Sequence, residues 1–150
     1  MASTYTRILL HLVFSTKNRA NLIAEEVEPR LYAYFGGILD NQSSRLLAAG
    51  GTANHVHLLV SLGKALTVTA LLEALKKDSS KWIKTLAASY ADFYWQDGYG
   101  AFSIGQSGVD GLSAYLARQK THHRKVSFED ELRGLLRKYQ IAFDERYMWR

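Results

Sequence analysis

Apolar and polar residues in the first half of the chain follow a pattern that predicts a strand, a helix and a hairpin. Residues 6–14 form a short apolar, β-prone run that ends in a polar turn, as is typical of a strand. A helix is predicted from Pro29 onward, because apolar residues recur there at helical spacing and proline suits the first helical turn. Two further strands, 45–49 and 53–61, are predicted as a hairpin with Gly50-Gly51 as its turn.

The second half of the chain contains the longest helical pattern. Apolar residues form a stripe along residues 67–88, and lysines occupy another face of the same predicted helix. A segment bounded by glycines, 98–105, predicts a fourth strand, and residues 108–123 predict the helix that follows it. The last predicted helix, 127–136, begins with a capping sequence.

This order of elements predicts an α+β protein with the ferredoxin-like β-α-β-β-α-β motif and an antiparallel sheet. An additional C-terminal helix, which carries Tyr115, follows the motif. The length of 150 residues and the hydrophobic content of 47% suit a single domain that spans residues 1–150. One face of such a sheet is expected to be open and able to hold single-stranded nucleic acid.

The composition limits which binding partners and which cellular compartment are expected for this protein. The absence of cysteine excludes disulfides, cysteine-based zinc sites and thiol catalysis. No apolar run approaches the roughly 20 residues of a membrane span, and the N-terminal residues lack a signal-peptide pattern. A cytoplasmic protein without a membrane partner is therefore expected. The net charge of +5 favours a polyanionic partner such as nucleic acid, and the lack of a glycine-rich phosphate loop predicts no nucleotide cofactor.

Two histidines in the third predicted strand are the strongest candidates for chemistry. His55 and His57 are separated by one residue, so they project from the same face of a strand and can reach one metal ion. Tyr115 and Gln119 are four residues apart in a predicted helix, which places a phenolic hydroxyl beside an amide oxygen that can bind metal. Each pair alone has a simpler interpretation, because strand histidines and helical tyrosines often serve only packing.

The combined motifs resemble the small single-tyrosine HUH transposases (TnpA type) of bacterial insertion sequences that transpose as single-stranded DNA. The resemblance covers nearly the whole chain, and its most specific parts are the tyrosine helix after the HUH strand and the segment Gly98-Tyr99-Gly100-Ala101-Phe102-Ser103. Further matching segments are His11 to Arg19, Asn54 to His57, Ser79 to Ile83, Trp95 to Asp97, Tyr115 to Gln119 and His122 to Lys125. Gly105 departs from the pattern, because serine is expected at its position.

The resemblance implies a reaction and assigns residues to it. Tyr115 would be the nucleophile, and His55, His57 and Gln119 would bind a divalent metal, Mg²⁺ or Mn²⁺. Attack on DNA would leave a 5'-phosphotyrosine and a free 3'-hydroxyl, and a second strand could reverse the step. The implied partner is single-stranded DNA with hairpins near the ends of the element. A homodimer is also implied, in which the tyrosine helix of one subunit completes the metal site of the other.

The remaining basic residues receive separate interpretations. Lys17 and Arg19 follow the first predicted strand within a matching segment and are candidates for contacts with DNA phosphates. His11 is expected to be structural. For His122 and His123, DNA contact and a solvated turn are both consistent with the sequence.

Two other functions stay open at this point. One is a non-catalytic module that binds single-stranded nucleic acid, although exposed aromatic residues on the central strands, which such a module requires, are not predicted. The other is a domesticated relative of the transposases that processes chromosomal repeats. Imperfect hairpins flanking the gene would favour a mobile element over a domesticated one.

Overall fold

Four antiparallel strands form the sheet in the computed structural model, which describes residues 2–149. The strands are β1 (Leu9–Ser15), β2 (Arg45–Thr52), β3 (His55–Ser61) and β4 (Gly100–Ile104). Their order in the sheet is β2-β3-β1-β4, so the two central strands are the first and the third along the chain. This topology confirms the predicted α+β fold with its ferredoxin-like sheet.

Within residues 2–149, five α-helices accompany the sheet. They are α1 (Glu28–Asn41), α2 (Val68–Lys84), α3 (Val109–Ala117), α4 (Gln119–His122) and α5 (Phe128–Lys138). Thr67 and Ser127 cap α2 and α5, because each hydroxyl accepts a hydrogen bond from a backbone N–H three residues later. Over residues 2–149, no helix combines the length and the apolar character that a membrane crossing requires.

The two faces of the sheet have different roles. The even-numbered residues of β1 and β3 pack against α1 and α2 and form the main core, which includes Leu12, Phe14 and Leu58. The opposite face carries His55 and His57. It is not open as predicted, because α3 and α4 lie against β2, and α5 packs on β1 and β4. The contacts of α5 form a second core of Val13, Phe102 and Phe128.

The two consecutive glycines of the hairpin lie inside β2, so the prediction that they form the turn was wrong. The turn consists of Ala53 and Asn54. A Cβ atom at Gly50 would lie 2.0 Å from the backbone oxygen of Leu116 in α3. A Cβ atom at Gly51 would lie 2.3 Å from the backbone oxygen of His55. These glycines therefore allow close approach of backbone segments, and Gly50 brings the tyrosine helix onto the sheet.

We expect Gly50→Ala to destabilise the protein by roughly 1–3 kcal/mol, because the added methyl group forces α3 away from β2. Gly36→Ala is the matched control. Gly36 lies inside α1, a Cβ atom there meets nothing within 4 Å, and the replacement should stabilise the helix by roughly 0.5–1 kcal/mol. Chemical denaturation of both variants measures the two effects. Equal stability of Gly50→Ala and the wild type would contradict the close packing of α3.

The helix predicted over residues 108–123 is interrupted. Arg118, with φ −104° and ψ 16°, leaves the helical conformation and separates α3 from α4. Gln119 is buried directly after this break and contacts His55 of β3 and Glu131 of α5. Tertiary contacts of this kind override helix propensity, so Tyr115 and Gln119 reach the same region from two helices rather than from one.

Candidate active site at the second face of the sheet

His55 and His57 lie side by side on the covered face of the sheet, as the alternation of β3 predicts. Both side chains are completely buried, and their ring centroids are 5.1 Å apart. Phe128 of α5 stacks on the ring of His55, with 4.4 Å between ring centroids. The two imidazoles are thus held in a protected position between the sheet and α5.

The neighbours of His55 determine which of its nitrogens carries the proton. Nδ1 lies 2.8 Å from Asn54 Oδ1 and 3.0 Å from Thr52 Oγ1. The amide oxygen of Asn54 only accepts hydrogen bonds, so the Nδ1 atom of His55 is the donor. Nε2 of the neutral ring is then unprotonated, and it faces Gln119 Oε1 at 3.1 Å.

The orientation of Gln119 is also fixed by its contacts. Its Nε2 group donates a hydrogen bond to Glu131 Oε2 over 3.2 Å, which leaves Oε1 directed at His55. Two acceptor atoms, His55 Nε2 and Gln119 Oε1, therefore face each other without a proton between them. A cation held between them would satisfy both lone pairs, so this arrangement fits a metal site.

His57 contacts the acidic residue of the site. Its Nε2 atom lies 2.7 Å from Glu131 Oε1, and its ring centroid lies 6.0 Å from that of Tyr115. Glu131 stands on the apolar face of α5, in the helical series Phe128, Glu131, Leu132 and Leu135. Packing of that face onto the sheet therefore carries the carboxylate into the histidine pair.

Tyr115 is half-buried beside the same carboxylate. Its hydroxyl donates a hydrogen bond to Glu131 Oε2 and lies 3.3 Å from His122 Nε2. Burial raises the pKa of the phenol above its ordinary value, and the neighbouring Glu131 raises the pKa further. The hydroxyl is therefore protonated at neutral pH, with its proton held by Glu131. Within one chain, the tyrosine lies next to its own histidine pair.

Glu131 and His123 belong to the site, and the sequence reasoning did not find them there. The ligand atoms of His55, His57, His123 and Glu131 all lie within 4.8 Å of one another. Burial of Glu131 favours its neutral form, but contacts with His123, His57 and Tyr115 outweigh burial and hold the pKa of the carboxyl well below its usual range. His123 Nε2 lies 3.2 Å from Glu131 Oε1 and, among residues 2–149, has no hydrogen bond of acceptable geometry. It is therefore available as a ligand.

The donor set can hold a divalent cation. Three imidazole nitrogens, an amide oxygen and a carboxylate converge, and the carboxylate supplies the negative charge that the sequence-derived set lacked. Measured from Glu131 Oε1, the Nε2 atoms of His57, His123 and His55 lie at 2.7, 3.2 and 3.6 Å, separations suited to ligands of one ion.

The two basic residues that follow β1 have different surroundings. The side chain of Lys17 is exposed. Arg19 pairs with Glu129 through a 3.2 Å contact, and its guanidinium lies 5.0 Å from the ring centroid of Trp149. Lys17 can thus meet a phosphate directly, whereas Arg19 must exchange these partners first. Their contact with DNA stays a prediction.

Acidification should destabilise the metal-free protein. Burial lowers the pKa of both His11 and His55 to about 3, whereas an unfolded histidine titrates near 6.5. Between these values the unfolded chain binds protons that the folded chain does not, so stability is lost as the pH falls through this window. The expected slope below pH 6.5 is about 1.4 kcal/mol per pH unit for each histidine. Thermal unfolding in the presence of chelator measures it, and a melting temperature that is constant from about pH 7 to about pH 5 would contradict the assignment.

The chain has recognisable relatives at the level of family and fold. The family model described as IS200-like transposase matches residues 4–119. A crystal structure of a proposed transposase from Deinococcus radiodurans R1 superposes with a TM-score of 0.62 and 18% identity, covering 79% of this chain and 95% of that one. A REP-associated tyrosine transposase bound to a REP hairpin gives a TM-score of 0.61 and 12% identity, with coverage of 84% and 74%.

At these identities the two structures show a shared fold, and no curated protein matches the sequence. The family match is more specific, because it extends from before β1 to Gln119 and contains the histidine pair and Tyr115. From this match we conclude that the chain belongs to the IS200-like transposases, a family of DNA-processing enzymes.

Proposed function

We propose that this transposase cleaves and rejoins single-stranded DNA at hairpin-bearing ends of a mobile element through a 5'-phosphotyrosine formed at Tyr115. The observation that carries the proposal is the convergence of the Tyr115 hydroxyl with His55, His57 and Gln119 around one buried carboxylate. A tyrosine that served only packing would not require its hydroxyl to meet a set of metal-ligating atoms.

In the proposed reaction the phenolic oxygen of Tyr115 attacks the scissile phosphorus, and the bond from phosphorus to the 3'-oxygen breaks. Glu131 Oε2, which already accepts a hydrogen bond from this hydroxyl, receives the phenolic proton and passes it to the departing 3'-oxygen. The products are a phosphodiester between Tyr115 and the 5' end of one strand and a free 3'-hydroxyl on the other. Attack by a 3'-hydroxyl on the phosphotyrosine reverses the step and needs no nucleotide cofactor.

The metal proposed for this site is Mg²⁺ or Mn²⁺, held by His55, His57 and Gln119 with the addition of Glu131. When bound, it stabilises the negative charge that develops on the phosphate during attack. Neutral imidazoles are needed as ligands, and the lowered pKa of His55, about 3, keeps this ring neutral at physiological pH.

Two cavities lead to this cluster and give DNA an approach. One, of about 470 Å³, is lined by residues that include His123, Phe128 and Lys120. The other, of about 380 Å³, is lined by residues that include Tyr115 and His11. The hairpin-bound structural relative supports hairpin DNA as the partner. The net charge of +5 supports binding that weakens with salt, with Lys17 and Arg19 as phosphate contacts.

The proposed homodimer would place Tyr115 of one subunit at the histidine pair of the other. In the single chain, α3 lies against its own β2, and Tyr115 lies beside its own His57. The shared arrangement therefore requires α3 to leave this position, and the glycines at its entry, Gly105 and Gly108, could provide the necessary freedom.

The test of the proposed function is covalent capture of DNA. The purified protein is incubated with Mn²⁺ and a library of single-stranded hairpin oligonucleotides labelled at their 3' ends, then separated under denaturing conditions. Labelled protein is the expected result, because the covalent link retains the strand on the 3' side of the break. Duplex DNA and chelator-treated samples serve as controls. Binding of the oligonucleotides without any covalent product would favour the non-catalytic module instead.

A further inference from the structure

His11 lies directly behind His57 on the neighbouring strand. It is 2% exposed, and its Nε2 atom is 2.7 Å from His57 Nδ1. The two rings stack, with centroids 5.0 Å apart and an angle of 26° between their planes. His11 faces Leu59 across the strand pair, so it reaches His57 diagonally, in the way that close side chains on one face of a sheet do.

The number of N–H groups on each imidazole limits how His11 and His57 can hydrogen-bond to each other. His11 is buried between the strand pair and the helices that cover this face, an environment that favours the neutral imidazole. A neutral imidazole has one N–H donor and one acceptor nitrogen. The 2.7 Å contact between His11 Nε2 and His57 Nδ1 therefore has one donor and one acceptor.

The role of His57 determines which ring donates. In the metal-free chain, His57 Nε2 contacts Glu131 Oε1, which only accepts, so Nε2 carries a proton. For a neutral His57, Nδ1 is then the acceptor, and His11 donates. When Nε2 of His57 becomes a metal ligand, its proton must be on Nδ1, and His11 Nε2 must accept. A histidine at position 11 can act in both arrangements.

We propose that His11 is a positioning residue of the metal site. In the metal-bound protein, His11 Nε2 accepts a hydrogen bond from His57 Nδ1–H, which fixes the tautomer and the ring orientation that direct His57 Nε2 at the metal. This inference rests on the proposed function. It gives a specific role to His11, for which the sequence predicted only a structural role. Supporting hydrogen bonds of this kind typically contribute roughly 10–100-fold to metal affinity.

The test compares two replacements of His11. His11→Phe keeps a buried ring but removes the acceptor, whereas His11→Gln retains an amide group that can take the place of Nε2. The control is Leu59→Ala, which removes packing beside His57 without changing a hydrogen bond; Leu59 is fully buried. Affinity for Mn²⁺ alone is measured for each variant, together with its melting temperature.

We expect His11→Phe to weaken Mn²⁺ binding roughly 10–100-fold and His11→Gln to recover most of the loss. Leu59→Ala should lower the melting temperature and leave the affinity within about threefold of the wild type, since it removes packing but no hydrogen bond of His57. Nitrogen-15 NMR of the Mg²⁺-saturated wild type should show a proton on His57 Nδ1.

The outcomes separate this inference from the proposed function. Equal Mn²⁺ affinity of His11→Phe and the wild type would overturn the role of His11 and leave the transposase mechanism intact. An unprotonated His57 Nδ1 in the Mg²⁺-saturated protein would overturn the inference and, with it, the assignment of His57 Nε2 as a metal ligand. A wild-type protein that binds no Mn²⁺ would overturn the metal-dependent function and the inference together.

Discussion

Replacing Tyr115 with phenylalanine should abolish the covalent protein–DNA product while leaving hairpin binding within a few fold of the wild type. The change removes the attacking oxygen but keeps the ring, which packs beside His57 and His122. Loss of an enzyme nucleophile lowers the rate by on the order of 10³-fold or more. Both effects are measured in parallel: adducts are quantified on denaturing gels, and hairpin affinity is determined for the same protein.

The matched control for this variant is Tyr99→Phe. Tyr99 is 42% exposed, and its hydroxyl lies 3.3 Å from the hydroxyl of Thr69, away from the histidine pair. Its replacement should leave adduct formation at the wild-type level. Undiminished adducts in Tyr115→Phe would show that another residue is the nucleophile.

Replacing His57 with alanine should remove both metal binding and cleavage. This residue would supply one ligand and also connects Glu131 to His11, so its loss disturbs both of these side chains as well. The decrease in Mn²⁺ affinity should exceed the roughly 10–100-fold that the loss of a supporting residue causes. Gln119→Ala should be milder and partly recover at high Mn²⁺, because water can replace one neutral ligand.

Metal removal from the wild type distinguishes a catalytic site from a structural one. Chelator should stop cleavage without unfolding the protein, since the main core between the sheet and the α1–α2 layer contains none of the proposed metal ligands. Circular dichroism of His57→Ala controls for misfolding. A melting temperature that collapses on chelation would indicate a structural metal, contrary to the proposed chemistry.

Local rules predicted the histidine pair and much of the fold correctly. The alternation of side chains along a strand depends only on backbone geometry, so the placement of His55 and His57 on one face followed from their spacing. The same is true of Ser127, whose capping role depends on a backbone N–H three residues away.

The errors arose where distant contacts decide the structure. Gly50 and Gly51 have the residue type of a turn, but their function is to admit the backbones of α3 and β3, which no local pattern reveals. The predicted helix over residues 108–123 is broken at Arg118, beside the buried contacts of Gln119. The open sheet face was likewise predicted without knowledge of where α5 packs.

Glu131 could have been found from the sequence by a simple signal. It stands at a position of α5 where the helical period calls for an apolar residue, between Phe128 and Leu135. A carboxylate on an apolar face needs buried partners, which here are Tyr115, His57 and Gln119. The sequence indicates that such partners must exist, but only the packing of α5 identifies them.

The central claim is that the hydroxyl of Tyr115 forms the bond to DNA, and mapping of the attachment site tests it most directly. Wild-type protein is reacted with a cleavable single-stranded hairpin and Mn²⁺, the DNA is trimmed by nuclease, and the protein is digested with trypsin. The peptide of residues 85–118 contains Tyr90, Tyr94, Tyr99 and Tyr115, so tandem mass spectrometry must assign the modified residue within it. The expected product is a nucleotide linked through phosphate to Tyr115 alone. A nucleotide on any other residue, with Tyr115 unmodified, would contradict it.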